Sequence, residues 1–403
     1  MEEYLGRGGD KPMNSLCCSR IMSKLGLLLC FLPGFPPLCS SQSRPPVPVW
    51  SKEAISDLSG ARNLGSPNLI DPNRAGVTFL DDEHVLVHEV DIDKGQLSSR
   101  HSAEVSSAFR LQLSVLDAST GLFVLAKELG ARPRDTWVYS TAGGLVIRAG
   151  SSLKFFKKDF SEAGQISLSD ENPYGRWEIR FSPSGKTILL NHYIRQRSKN
   201  IDFSQFQVID GTTFKTTSSW TESPALSDSR YSVSDYLVAE LRAMQTPARF
   251  MISKFGTKTW NKVWETTDQC VSRARLVADD QFVYVCREFL SVSLDGKILM
   301  SDHFMHGETV GPSFKFSVGQ NRKTVALSME NISDPTDTGG QLRAIRVVVY
   351  DLCASKSILS VSISPVPIID FDFELSPDGT KLAILNDRTV SVYSVPSAPR
   401  PGD

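Results

Sequence analysis

No GxSxG elbow, P-loop, GxGxxG turn or CxxC pair occurs anywhere in this 403-residue chain. Each absence removes a chemistry with a local signature: the serine nucleophile raised between strand and helix, the glycine-rich cradle for nucleotide phosphates, and the paired thiolates of a zinc site. Charge is nearly balanced, with a formal net of -1, so there is no global field to draw in nucleic acid or anionic lipid. Runs of Ala, Leu, Glu and Lys at helical spacing are missing too. The apolar run at residues 25–32 is well short of the roughly 20 residues that a spanning helix needs. Neither a nucleic-acid partner nor a stable membrane span is expected, and no cofactor or metal site is indicated.

What the chain does have is 40% hydrophobic residues, 21 Phe and many Val, Ser and Thr, enough for a large core built of strands. An all-β class is expected. At the amino end, Arg20 and Lys24 flank the start of the apolar run, Pro33 and Gly34 break it, and small polar residues follow. These are the three regions of a secretory signal. Residues 1–41 are read as that signal, with Met22 as the alternative start because residues 1–21 do not resemble one, and residues 42–403 as a single mature domain. The expected destination is the bacterial periplasm or the exterior.

Four of the seven cysteines (Cys17, Cys18, Cys30, Cys39) fall in the signal, leaving Cys270, Cys286 and Cys353. Cys270 precedes an apolar strand, Asp279 and Asp280 turn the chain, and Cys286 ends the return strand. In an oxidising compartment a Cys270–Cys286 bond would close a loop of about 17 residues, worth about 3 kcal/mol on the chain-entropy model. The register is about three residues from direct opposition, so the disulfide and two separate buried thiols both stay open.

A hairpin recurs along the chain: an apolar strand, a short polar turn, a second apolar strand. Clear copies are 77–80, DDEH, 85–90; 177–181, SPSGK, 187–190; 273–277, ADDQ, 282–285; 314–318, GQNRK, 324–327; and 371–375, SPDGTK, 382–385. Weaker copies begin near Trp137 and Ala225. Asp, Ser and Gly suit such turns because they accept tight-turn dihedrals and their side chains bond their own backbone. Several copies are followed by a second, aspartate-centred hairpin, as in LQLSVLDASTGLFVLAKEL and RVVVYDLCASKSILSVSI. Two hairpins make a four-stranded antiparallel unit. Seven units, spaced by about 40 to 60 residues, predict a seven-bladed β-propeller, with six or eight blades as alternatives because the Ala225 copy is poor. The last unit has only three strands, and the extended segment 47–52 is expected to supply the fourth and close the ring.

At SPSGK (182–186), SPDGTKLAIL (376–385) and VLDASTG (115–121) the chain resembles the TolB-like and WD-repeat propeller families. The resemblance implies the fold and leaves function open, because the shared motif encodes turns. TolB carries an additional amino-terminal α/β domain for which this chain has no room, and the Trp-Asp dipeptide of WD repeats is absent.

In a four-stranded meander, the connections between second and third strands all emerge on one face. Three are expected to be long, at 91–108, 191–203 and 330–341, and insertions gathered on one face commonly mark a binding surface. They carry Arg100, His101, Arg195 and Arg197, the candidate binding residues. His303 and His306 read as surface histidines without a third metal ligand, and Glu89, Asp91 and Asp93 lack the later ligands of a calcium loop. The expected protein is a monomeric, exported, non-catalytic binding or scaffold module for a protein or small-molecule ligand. Its rival is a propeller enzyme of lyase, lactonase or quinoprotein type, with groups from several inner strands meeting in the central channel. Three or more convergent carboxylate or imidazole groups there would favour the enzyme.

Overall fold

The computed structural model describes residues 45–54, 75–92, 109–130, 136–149, 152–168, 176–196, 201–222, 230–242, 247–257, 259–267, 273–305, 307–310, 315–332, 342–367 and 371–397. Among these there are strands and turns and no helix. The strands form seven antiparallel sheets. Six are continuous in the chain, at 75–130, 136–167, 176–222, 230–266, 273–303 and 308–363, and in each the successive strands pair in order. The sixth departs in one respect: its first strand is broken into Glu308–Thr309 and Phe316–Val318, both paired with Thr324–Ile332. First strands of neighbouring sheets touch one another, Ala75–Phe79 meeting both Phe371–Leu375 and Thr136–Thr141, so the first strands surround the centre. This is a seven-bladed β-propeller.

Turn chemistry explains where the strands end. In blades 3 and 7, Ser182 and Ser376 bond across the turn to Thr187 and Lys381 through their backbone N–H, and their hydroxyls accept the return N–H at 3.0 and 2.9 Å. Gly185 and Gly379 take the left-handed conformation that this tight path requires (φ 66° and 73°). In the outer hairpins an aspartate caps the turn: Asp117 accepts the Ser119 and Thr120 N–H groups, and Asp210 those of Thr212 and Thr213. The third and fourth strands slip register once in each of blades 1 to 6, a bulge that adds twist where a blade must splay outward.

The second strands read as nearly continuous apolar runs, such as Ile188, Leu189 and Leu190, because both faces of each blade are covered. Seven buried clusters result, one at each junction between neighbouring blades. The junction between blades 7 and 1 closes the ring. There Trp50–Glu53 pairs with Thr389–Ser394 as the outer strand of the last blade, as the missing fourth strand required. Trp50 packs into that junction and donates its Nε1–H to Ala118 O at 2.9 Å. Its ring lies so close to Gly121 (φ 70°) that a Cβ there would come within 2.8 Å.

Trp50→Ala is expected to lower unfolding stability by about 2 kcal/mol, below the roughly 3 to 5 kcal/mol of a fully buried aromatic because the ring is only partly buried. Urea denaturation measures it; an unchanged midpoint would mean that the backbone pairing alone carries the closure.

Candidate functional site

Superposing the inner strands on their turns brings one residue per blade to a common level: Thr78, Tyr139, Arg180, Ser232, Arg275, Ser317 and Glu374. Two residues earlier stand Gly76, Trp137, Glu178, Arg230, Arg273, Lys315 and Asp372. The inner edge of each first strand has no further strand to pair with, so its N–H and C=O groups need other partners. Neighbouring blades supply them. Leu276 N–H donates to Ser232 Oγ (2.9 Å), Leu375 N–H to Ser317 Oγ (3.0 Å) and Val77 N–H to Asp372 Oδ2 (2.9 Å). In return, Arg180 Nε donates to Tyr231 O and Arg275 Nη1 to Phe316 O, each at 3.0 Å.

The charged members of this ring are not sealed in the core, for Arg180 keeps 44% of its side-chain surface exposed, Lys315 33% and Glu374 28%, whereas Thr78, Ser232 and Ser317 are buried. Lys315 Nζ lies 2.5 Å from Asp372 Oδ1 and 3.4 Å from Glu374 Oε2. Burial opposes the Lys315 charge, but the two carboxylates outweigh it and hold its pKa above the ordinary value. Ser317 donates to Glu374 Oε1 at 2.6 Å, and Arg180 is paired with Glu178. Burial pushes the Tyr139 hydroxyl up to about 12, with Arg180, Lys315 and Arg275 opposing, so it keeps its proton across the physiological range. The turn side of the channel is laced across: Arg322 of blade 6 pairs with Asp235 of blade 4 and Asp279 of blade 5, and Ser184 of blade 3 donates to Asp235 at 2.5 Å.

Of the residues singled out in the sequence, Arg100, His101, Arg197, Cys270, Asp93 and His306 lie outside the described residues. Arg195 does not lie in a loop. The segment expected to be a connection at 191–203 is mostly strand: Thr187–Gln196 and Ile201–Asp210 pair along their whole length, with Arg195 opposite Asp202. The polar run Asn191-His192 looked like loop, but both side chains are buried, and His192 stacks on Trp177 with centroids 4.1 Å apart. Glu89 and Asp91 likewise belong to the strand His84–Ile92, not to a calcium loop. His303 is exposed on an outer strand, 3.5 Å from Glu288. Cys286 is disulfide-bonded. The ring of channel residues was not anticipated. Its signal lies in charges inside otherwise apolar first strands, RWEIRF, RARL and FDFEL, which align only once the turns set a common origin.

No protein-family model matches the chain, and neither does any curated protein. Solved structures do. The carboxy-terminal WD40 domain of Sif2 is similar at 12% identity and TM-score 0.40, over 81% of this chain and 94% of that one. A chain of the mitotic checkpoint complex is similar at 10% identity and TM-score 0.45 (92% and 100%), and TolB from Acinetobacter baumannii at 12% and 0.37 (77% and 80%). These likenesses are distant, and the seven-bladed propeller architecture rests on the chain's own sheet topology.

One imidazole joins the channel acids. His88, on the second strand of blade 1, is 8% exposed, and its ring and Asp372 Oδ2 crowd the space beside Gly76, where a Cβ would meet them at 2.4 and 2.8 Å. Burial pushes its pKa down to about 4, with Lys315 adding to the effect and Asp372 opposing it. The unfolded chain takes up this proton near pH 6.5 and the folded chain does not, so the stability is present above pH 6.5 and lost as pH falls toward 4. His88→Gln should remove about 3 kcal/mol of the stability difference between pH 7 and pH 4. Urea midpoints of both proteins at the two pH values test this; identical pH dependence would show that His88 titrates normally.

Proposed function

We propose that this chain is an exported, non-catalytic binding or scaffold propeller that engages its ligand through the face where second and third strands connect. One observation carries the reading against a channel enzyme. Asp372, Glu374 and His88 do converge, which is the number of groups the enzyme requires, but each is engaged within the fold or uncharged. Asp372 holds Val77 N–H and Lys315, Glu374 holds Ser317 and Lys315, and His88 stays neutral at pH 7. The two carboxylates are thus already held by Lys315 and by backbone or serine donors, which leaves only the neutral His88 ring for acid–base or ligand chemistry, one group where a channel enzyme needs several. Among the described residues, no group of three His, Cys, Asp or Glu side chains is placed to hold a metal.

The connections at 93–108 and 333–341 remain long between their flanking strands, and that at 197–200 is short. The binding face is therefore assigned chiefly to blades 1 and 6, with Arg100 and His101 as its candidate contacts. Replacing residues 96–104 by a Gly-Ser linker is expected to abolish cross-linking of a partner in an envelope extract of the host while leaving the melting temperature unchanged. Undiminished cross-linking would count against this face, and a stoichiometric metal in the purified chain would revive the enzyme reading.

Export is supported by the signal-like amino-terminal segment and by the disulfide at Cys286, a bond that persists in oxidising compartments. Cys270 is its proposed partner. A non-reduced peptide map is expected to join the peptides of Cys270 and Cys286, and Cys270→Ser to cost about 3 kcal/mol. A map that joins Cys286 to another cysteine overturns the pairing.

A further inference from the structure

We propose that the channel contains a second site, independent of the loop face, which binds an oxyanion (a carboxylate or phosphate group of a small ligand) between Ser232, Arg275 and Arg180. The inference comes from comparing two junctions of the same ring. Between blades 6 and 7, Ser317 accepts the Leu375 N–H and donates its own hydroxyl hydrogen bond to Glu374, the residue at the same level on the next blade. Between blades 4 and 5, Ser232 accepts the Leu276 N–H in the same way, at 2.9 Å, and is 5% exposed. The residue at the carboxylate's position on the next blade is now Arg275. Among the described residues, the Ser232 hydroxyl proton has no acceptor, and Arg275 has a backbone carbonyl, Phe316 O, but no carboxylate in ion-pair contact.

One missing group accounts for both. An anion set where Glu374 stands in the other junction would accept from the Ser232 hydroxyl and from the guanidinium, and charge-assisted bonds of this kind are about twice as strong as neutral ones. A second guanidinium lies near: Arg180 of blade 3 holds Glu178 and reaches across to Tyr231 O, the residue just before Ser232, so a bound anion would share it with Glu178. Burial chiefly, with Arg180 after it, disfavours the charge on Arg275, and Glu374 only partly offsets them, so a bound anion would stabilise the charged guanidinium. Planar forks from two directions suit a carboxylate or phosphate better than a monatomic ion.

Equilibrium dialysis of the full chain against inorganic phosphate, and separately against citrate, in low-chloride buffer provides the test. One saturable site per chain is expected for at least one probe, and whichever binds tighter identifies the ligand as phosphoryl or carboxylate. Arg180→Gln should weaken binding by at least about tenfold. Arg275→Glu should abolish it while folding normally, because it rebuilds within the chain the arrangement already present at Ser317 and Glu374. Arg249→Gln, on an outer strand, should bind as the wild type does. Absence of saturable binding of either probe to the wild-type chain, or wild-type affinity in both channel variants, overturns the proposal. Neither outcome bears on the loop face, whose partner is tested separately.

Discussion

Everything in this molecule depends on the need of each small sheet to have both faces covered. A four-stranded blade whose second strand is apolar on both sides is not stable alone; it is stable when another blade lies against each face. Repetition meets that need for every blade except the first and last, and only a closed ring meets it for those. Trp50–Glu53 therefore does more than lengthen a sheet. It brings the beginning of the domain onto the final blade and sets the Trp50 indole into the one junction that chain continuity does not provide.

Closure creates a second requirement at the centre. Seven first strands each present an unpaired inner edge, and the ring is too narrow there to admit another strand. The side chains of neighbouring blades act as the missing strand: serine and aspartate accept N–H groups, and arginine donates to carbonyls. Polar and charged residues in the channel are thus first of all a consequence of the architecture, and their presence alone does not indicate catalysis. What distinguishes one junction from another is whether the set is complete. Lys315, Asp372, Ser317 and Glu374 satisfy one another, whereas Ser232 and Arg275 do not.

The proposed binding face follows from the same topology. Hairpin turns on one side of the ring are tied to one another, as Arg322 ties three blades, and have little freedom to vary. Connections between second and third strands leave the ring on the other side, so added length there need not cross that network. This asymmetry is why the proposed loop face and the proposed channel site can be tested separately.

Local pattern alone determined the class, the repeat and the borrowed fourth strand, because alternating apolar residues and Ser-Pro-x-Gly or Asp-centred turns act over a few residues, and it favoured seven blades over six or eight, a count that the closed ring decided. It misjudged Asn191, His192 and Arg195, polar residues that read as a connection yet continue a strand, since burial between blades and a stacked Trp177 offset their polarity. The channel was beyond its reach. Thr78, Tyr139, Arg180, Ser232, Arg275, Ser317 and Glu374 are separated by tens of residues, share no motif, and become neighbours only when the ring closes. Whether a given serine meets a carboxylate or a guanidinium depends on which residue the next blade places at its level, and that is a property of the closed ring.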